Sequence, residues 1–211
     1  MIQELRTYTL VPGTQGQYLK LSSEVGRKTR GDKYGKLEGF WYTEFGTLNQ
    51  VVHLWTFDSL NERERLRSEL AKNEDWTKGY IPQIRSMLLA QENKILSAAL
   101  PLQPPSDTGN VYELRWYRAH VGKAGEWIQL FKEVMPAREK YMRRVGLWQT
   151  EIAQLNEVVH MWVYRDLNER AAARGKLAQD PAWQSFLPKS APLLAHMQAI
   201  VLYPSPHSPM K

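Results

Sequence analysis

The chain writes most of itself twice. A displacement of 107 residues lays Gly39 on Gly146, Trp41 on Trp148, Thr43 on Thr150, His53 on His160, Trp55 on Trp162 and Trp76 on Trp183. A displacement of 109 lays "ELRTY" (Glu4 to Tyr8) on "ELRWY" (Glu113 to Tyr117), and one of 106 lays Pro82, Leu88 and Leu96 on Pro188, Leu194 and Leu202. So many identities in one order, several of them tryptophans, mark a tandem duplication with small insertions. The 211 residues therefore divide into copies at 1–97 and 111–203. Between them residues 98–110, "AALPLQPPSDTGN", carry the prolines and small polar residues of an extended linker. Residues 204–211, ending in "SPHSPMK", read as a flexible tail.

Both copies spell the same order of elements. A strand, "ELRTYTL" or "YELRWYR", meets a turn signal, "VPGTQG" or "HVGKAG", and a long helical stretch. In the second copy Trp127, Leu130, Phe131 and Val134 are spaced for one apolar helix face, which Pro136 is expected to bend. Two strands follow, "GFWYTEF" and "NQVVHLWTF" in the first copy, joined by a turn short enough for a hairpin. Ser59 with Glu62, and Asp166 with Glu169, then mark a second helix start in each copy. A closing strand, "LLAQENKIL" or "LLAHMQAIVL", completes the ferredoxin-like β-α-β-β-α-β order, an antiparallel sheet with helices on one face.

Alternation along the third strand of each copy separates two faces. Val52, Leu54 and Thr56 are small and suit helix packing, as do Val159, Met161 and Val163; Trp41 and Trp148 are assigned to the same side. His53, Trp55 and Phe57 form a bulkier face with Arg6 and Tyr8, extended by Tyr42 and Glu44. The second copy repeats it with His160, Trp162, Arg115, Tyr117 and Glu151. Such an aromatic face must be covered, and the expected cover is the other copy. The expected fold is thus α+β, two ferredoxin-like repeats whose sheets form one pseudo-twofold α+β barrel, with both histidines in a lumen wide enough for side chains or one small ligand.

The stretches "ELRTY", "GFWYTEFG", "NQVVHLWTFDSLNERERLR" and "DWTKGYIPQI" resemble the NIPSNAP family, whose domain belongs to the dimeric α+β barrel superfamily. The second copy departs from the pattern in "EIAQLNE", which lacks the turn glycine, and in "AHVGKAG". Two such domains in one chain imply a pseudo-dimer that closes its barrel without a second subunit, and further association of whole chains stays open. The resemblance implies little about activity. Mitochondrial members resemble partner-binding and vesicle-associated proteins, whereas related barrels include cofactor-free monooxygenases, isomerases and histidine-ligated haem proteins.

His53 and His160 are the candidate catalytic residues, because imidazole titrates near neutral pH; the alternative is a hydrogen-bonded core histidine. Arg6 and Arg115 would clamp an anion through the guanidinium fork, or else pair with glutamates such as Glu4 or Glu44. Glu44 and Glu151 would be those partners or a general base, and Tyr8, Tyr117, Trp55 and Trp162 would line the ligand. No HxH, HxxxH or HExxH spacing points to a metal, and no cofactor is expected, with haem the alternative. The absence of cysteine removes thiolate chemistry altogether.

Net charge is +6, with 14 basic and 12 acidic residues before the linker prolines and 14 and 10 after. A surplus so evenly spread is unlike a nucleic-acid-binding face. No apolar run approaches a membrane span and no leader pattern opens the chain, so a cytoplasmic protein is expected. The leading expectation is a barrel binding a small acidic or partly aromatic molecule, with cofactor-independent oxidation or isomerisation as the chemistry. The rival is a non-enzymatic interaction module with a solid interior.

Overall fold

A computed structural model describes all 211 residues and divides into two compact units, residues 1–96 with 203–211, and residues 97–202. The first unit runs β1 (Ile2–Leu10), α1 (Gln15–Leu21), α2 (Arg27–Arg30), β2 (Lys36–Phe45), β3 (Gln50–Phe57), α3 (Leu60–Lys72), α4 (Ile81–Ile84) and β4 (Leu88–Leu100). Its strands pair antiparallel in the order β4-β1-β3-β2. The second runs β5 (Val111–Ala119), α5 (Ala124–Glu139), β6 (Arg143–Ile152), β7 (Glu157–Tyr164), α6 (Leu167–Ala178), α7 (Pro181–Ser190) and β8 (Leu194–Pro204), ordered β8-β5-β7-β6. Ser59 and Asp166 cap α3 and α6 by accepting the backbone N–H of Glu62 and Glu169. Each unit is thus ferredoxin-like, as the sequence predicts.

The two faces of each sheet are exchanged relative to the expectation from residue size. Residues directly opposite in an antiparallel pair share a face, and Arg6 lies opposite His53, Phe40 opposite His53, and Tyr8 opposite Val51. That face packs against its own helices: Phe40, Val51, Trp55 and Phe57 share a core with Tyr18 of α1 and with Tyr80 and Ile84. Trp41, Val52, Leu54 and Leu5 lie buried on the opposite face. Trp41 occupies its place because Gly39 has no side chain; a Cβ there would meet the indole at 2.1 Å, and Gly146 stands in the same relation to Trp148. Small aliphatic residues did not mark the helix side, since a flat helix-facing layer is equally well built from rings.

Between the copies the helical layers differ. In the second, α5 is one continuous helix through Pro136. In the first, α1 and α2 are joined by a π-helical turn, Ser22–Gly26, and a second π turn, Asp75–Tyr80, leads into α4. Each coincides with a change of repeat displacement. Tyr18 matches Trp127 at 109 while Arg30 matches Arg138 at 108, and Trp76 matches Trp183 at 107 while Tyr80 matches Phe186 at 106. One extra residue accommodated as a π turn leaves the helix intact and widens it locally.

The linker and tail are tied down. β4 continues to Leu100, and Gln103 and Pro101 bond to Val145 and Arg144 of β6. The tail expected to be flexible belongs to the first unit. Ser205 N–H donates to the Phe40 carbonyl, Phe40 N–H donates to Ser208 Oγ, each at 2.9 Å, and Met210 is buried.

Candidate functional site

Where the first copy's sheet meets its helices there is a cavity of about 280 Å³. Its floor is Arg6, Tyr8, Phe40, His53 and Trp55 of the sheet; Tyr18, Ser22, Gly26 and Arg30 of the first helical layer and Trp76, Tyr80 and Ile84 of the second close it. His207 of the tail completes the wall, and the exposed side chains of Arg85 and Gln91 mark the mouth. The two π turns face each other here: Ser22 Oγ and Tyr80 OH hydrogen-bond at 2.9 Å. Gly26 admits the Tyr80 ring, which would lie 2.7 Å from any Cβ.

The second copy fills the same place. Trp127 and Phe131 stand where the first copy has Tyr18 and Ser22, and, past the extra residue, Val134 stands for Gly26. The Phe131 ring lies 5.1 Å from His160 and 5.8 Å from Phe186, and Trp127 stacks 4.4 Å from Phe131. Arg138 is buried among Trp162, Phe131 and Trp183, its carbon 3.9 Å from the Trp162 ring centre. Burial, with Arg115 nearby, draws its pKa down to about 10.

Arg30 is the counterpart of Arg138 and the most unusual group in the cavity. It is 3% exposed, lies 3.4 Å over the Trp55 ring, and bonds only the Tyr34 carbonyl, with Nε unpartnered and no carboxylate against it. Desolvation, with Arg6 adding, brings it to about 9, so it stays cationic at neutral pH at a cost. Arg6, by contrast, is satisfied: it donates to Glu4 and, at 3.1 Å, to the Tyr8 hydroxyl. Burial alone would raise the Glu4 carboxyl, yet Arg6 and Arg63 hold it below its usual range. Arg115 repeats this arrangement with Glu113 and Tyr117. Glu44 and Glu151 are exposed and stand outside both arrangements, so neither is the partner or buried base expected.

His53 has a fixed tautomer. Trp55 Nε1–H donates to His53 Nδ1 at 2.6 Å, and because an indole N–H can only donate, Nδ1 holds a lone pair and the proton sits on Nε2. Burial, reinforced by Arg6, Arg30 and His207, keeps this imidazole neutral by pushing its pKa well below the ordinary value. Phe40 stacks on the ring at 4.8 Å, Tyr8 meets it edge-on, and Nε2–H has no partner. His53 therefore presents a hydrogen-bond donor at Nε2, with Nδ1 held by Trp55. His160 and Trp162 repeat the bond at 2.6 Å, but against rings instead of a cavity. The tautomer that Trp55 fixes does not suit haem ligation, because His53 Nε2 carries a proton where iron would bind.

Sequence reasoning singled out His53, Trp55, Arg6 and Tyr8, which the structure gathers, and missed Arg30, Ser22, Gly26, Tyr80 and His207. The readable signal was small residues in one copy opposite large ones in the other.

Two solved structures cover nearly the whole chain. A candidate monooxygenase of Fusobacterium nucleatum matches with a TM-score of 0.70 at 12% identity, covering 97% of this chain and 92% of that one. Another from Lactobacillus acidophilus matches at 0.68 and 12%, covering 96% and 92%. At that identity the likeness shows the fold alone. The class is the α+β barrel, eight antiparallel strands in two repeats. Within it, the NIPSNAP family model matches residues 3–101 and again 112–209, and the chain belongs to that family. Human NipSnap homolog 3A is 30% identical over 213 residues, spanning 99% of this chain and 85% of that protein. No helix is long and apolar enough to cross a membrane.

Proposed function

We propose that the first repeat binds a small organic anion with a planar, apolar body in the cavity between its sheet and its helices. The observation that carries this is Arg30, a buried guanidinium with no carboxylate partner lining an open space. A charge held that way costs several kcal/mol, and an anion seated against it repays the cost. Trp55, Phe40, Trp76 and Tyr80 supply flat apolar walls for the rest of the ligand. Oxygenation and isomerisation without a cofactor both begin by stabilising an enolate, and a cation beside a neutral N–H donor is the pair of groups that does so. The rival reading, a solid module, describes the packing of the second repeat but leaves the cavity of the first without a purpose.

Phenylacetate is a suitable probe. Calorimetric titration should show saturable binding by the full chain, weakened at least about tenfold in Arg30→Met, since the charge-assisted contact is lost. Affinity that is absent, or indifferent to Arg30→Met, would discard the reading.

A further inference from the structure

We propose that the ligand carries a second oxygen acceptor, a carbonyl or enolate oxygen close to its carboxylate, received by the Nε2–H of His53. In this arrangement Arg30 takes the carboxylate and His53 selects the class, a 2-oxo or similarly oxygenated aromatic acid. The inference rests on the anion-site reading and deepens it.

Three features of the geometry converge on one indole. Arg30 lies on the face of Trp55, His53 takes its N–H, and all three line the same cavity. The cation and the donor are therefore both held by one indole at the same cavity, an arrangement that a ligand bearing two oxygens can satisfy at once. The Trp55 bond leaves the imidazole no freedom. The other tautomer would set an Nδ1–H against the indole N–H, so Nε2 presents a donor and nothing else.

His53 is 4% exposed and its Nε2–H is unsatisfied, which is a standing cost unless an acceptor arrives. The second copy supplies the contrast. The rings of Tyr117, Phe131 and Trp127 surround His160 at 4.8, 5.1 and 6.0 Å, so its N–H lies among π-systems. The first copy replaces two of those rings by the Tyr18 phenol and the small Ser22, leaving the space open. A site built to hydrogen-bond a substrate oxygen discriminates strongly against the analogue lacking it, because its own buried polar group is then left unpaired.

Phenylglyoxylate and phenylacetate differ only in a carbonyl oxygen, and both fit the volume. Titration of the full chain should favour phenylglyoxylate by about tenfold, the worth of one buried hydrogen bond. His53→Phe, which keeps a ring against Phe40, should bring the ratio of the two affinities towards one. His53→Gln, which can accept from Trp55 and donate to the ligand, should restore much of the preference, and His160→Phe should leave it intact. Proton NMR reads the same contact without a substitution: phenylglyoxylate should move the Nε2–H resonance downfield and phenylacetate should not. A ratio near one in the unaltered chain, or one unchanged in His53→Phe, overturns the inference. If phenylacetate binding then still depends on Arg30, the anion reading stands alone; if neither acid binds, both fall.

Discussion

Glu113 shows how this chain tolerates charge where there is no water. Its carboxylate has no exposed surface; burial would raise its pKa, but donors from Arg115 and Arg170 outweigh this and hold it at about 2. A carboxyl whose folded pKa lies below its unfolded one stabilises the fold above the unfolded value, about 4.3, and the stability is lost as pH falls towards the folded value. Denaturant unfolding should therefore show stability declining between about pH 5 and pH 2, and Glu113→Gln should flatten that slope while lowering stability at pH 7 by about 3 kcal/mol. Gly39 makes a second test. With the Trp41 ring 2.1 Å from any added Cβ, Gly39→Ala should cost about 2 to 4 kcal/mol in a urea melt, because indole and strand must part. At this scale the repeated histidine and tryptophan were legible, since both survive in both copies. Their roles were not: alternation separates two faces without saying which one meets helices, and a tautomer depends on a hydrogen bond that no spacing reveals.

Elements explain why one copy is hollow. The face Trp127, Phe131, Val134 and Arg138 follows ordinary helical spacing, whereas Tyr18, Ser22, Gly26 and Arg30 stay on one face only because the π turn absorbs an extra residue. With small residues at Ser22 and Gly26, the widened helix leaves room that α5 fills with rings. Ser22→Phe should copy the second repeat into the first. Phenylacetate binding should disappear while the melting temperature shifts by only a few degrees, as an apolar ring gains packing and the Ser22–Tyr80 hydrogen bond is lost. Binding that survives would place the ligand elsewhere. Strand and helix order, with both capping residues, could be read from sequence because each is set by local pattern. The π turns were visible only as drifting repeat displacements, which give an insertion without its geometry.

At the scale of the whole molecule, duplication made the two repeats legible, but the linker and tail that composition set apart belong to the compact units, residues 97–110 to the second and 203–211 to the first. Prolines and serines after residue 203 look like coil, but backbone bonds to Phe40 and the buried Met210 decide otherwise, and those partners lie over 160 residues away in the chain. His207 contributes a ring 4.5 Å from Phe40 and part of the cavity wall, where burial, with Arg27 and Lys211, draws its pKa to about 4. Removing residues 205–211 should lower the melting temperature by several degrees and weaken phenylacetate binding, measurable by calorimetry on the shortened protein. Equal affinity without the tail would show that His207 only borders the site.

The seating of Ser208 against Phe40 also sets an order of events at the ribosome. Translation releases the first repeat early, at roughly 5 to 20 residues per second, but its final stitch is synthesised only after the second repeat. Until then the nascent repeat carries an unfinished cavity wall through the making of its entire twin.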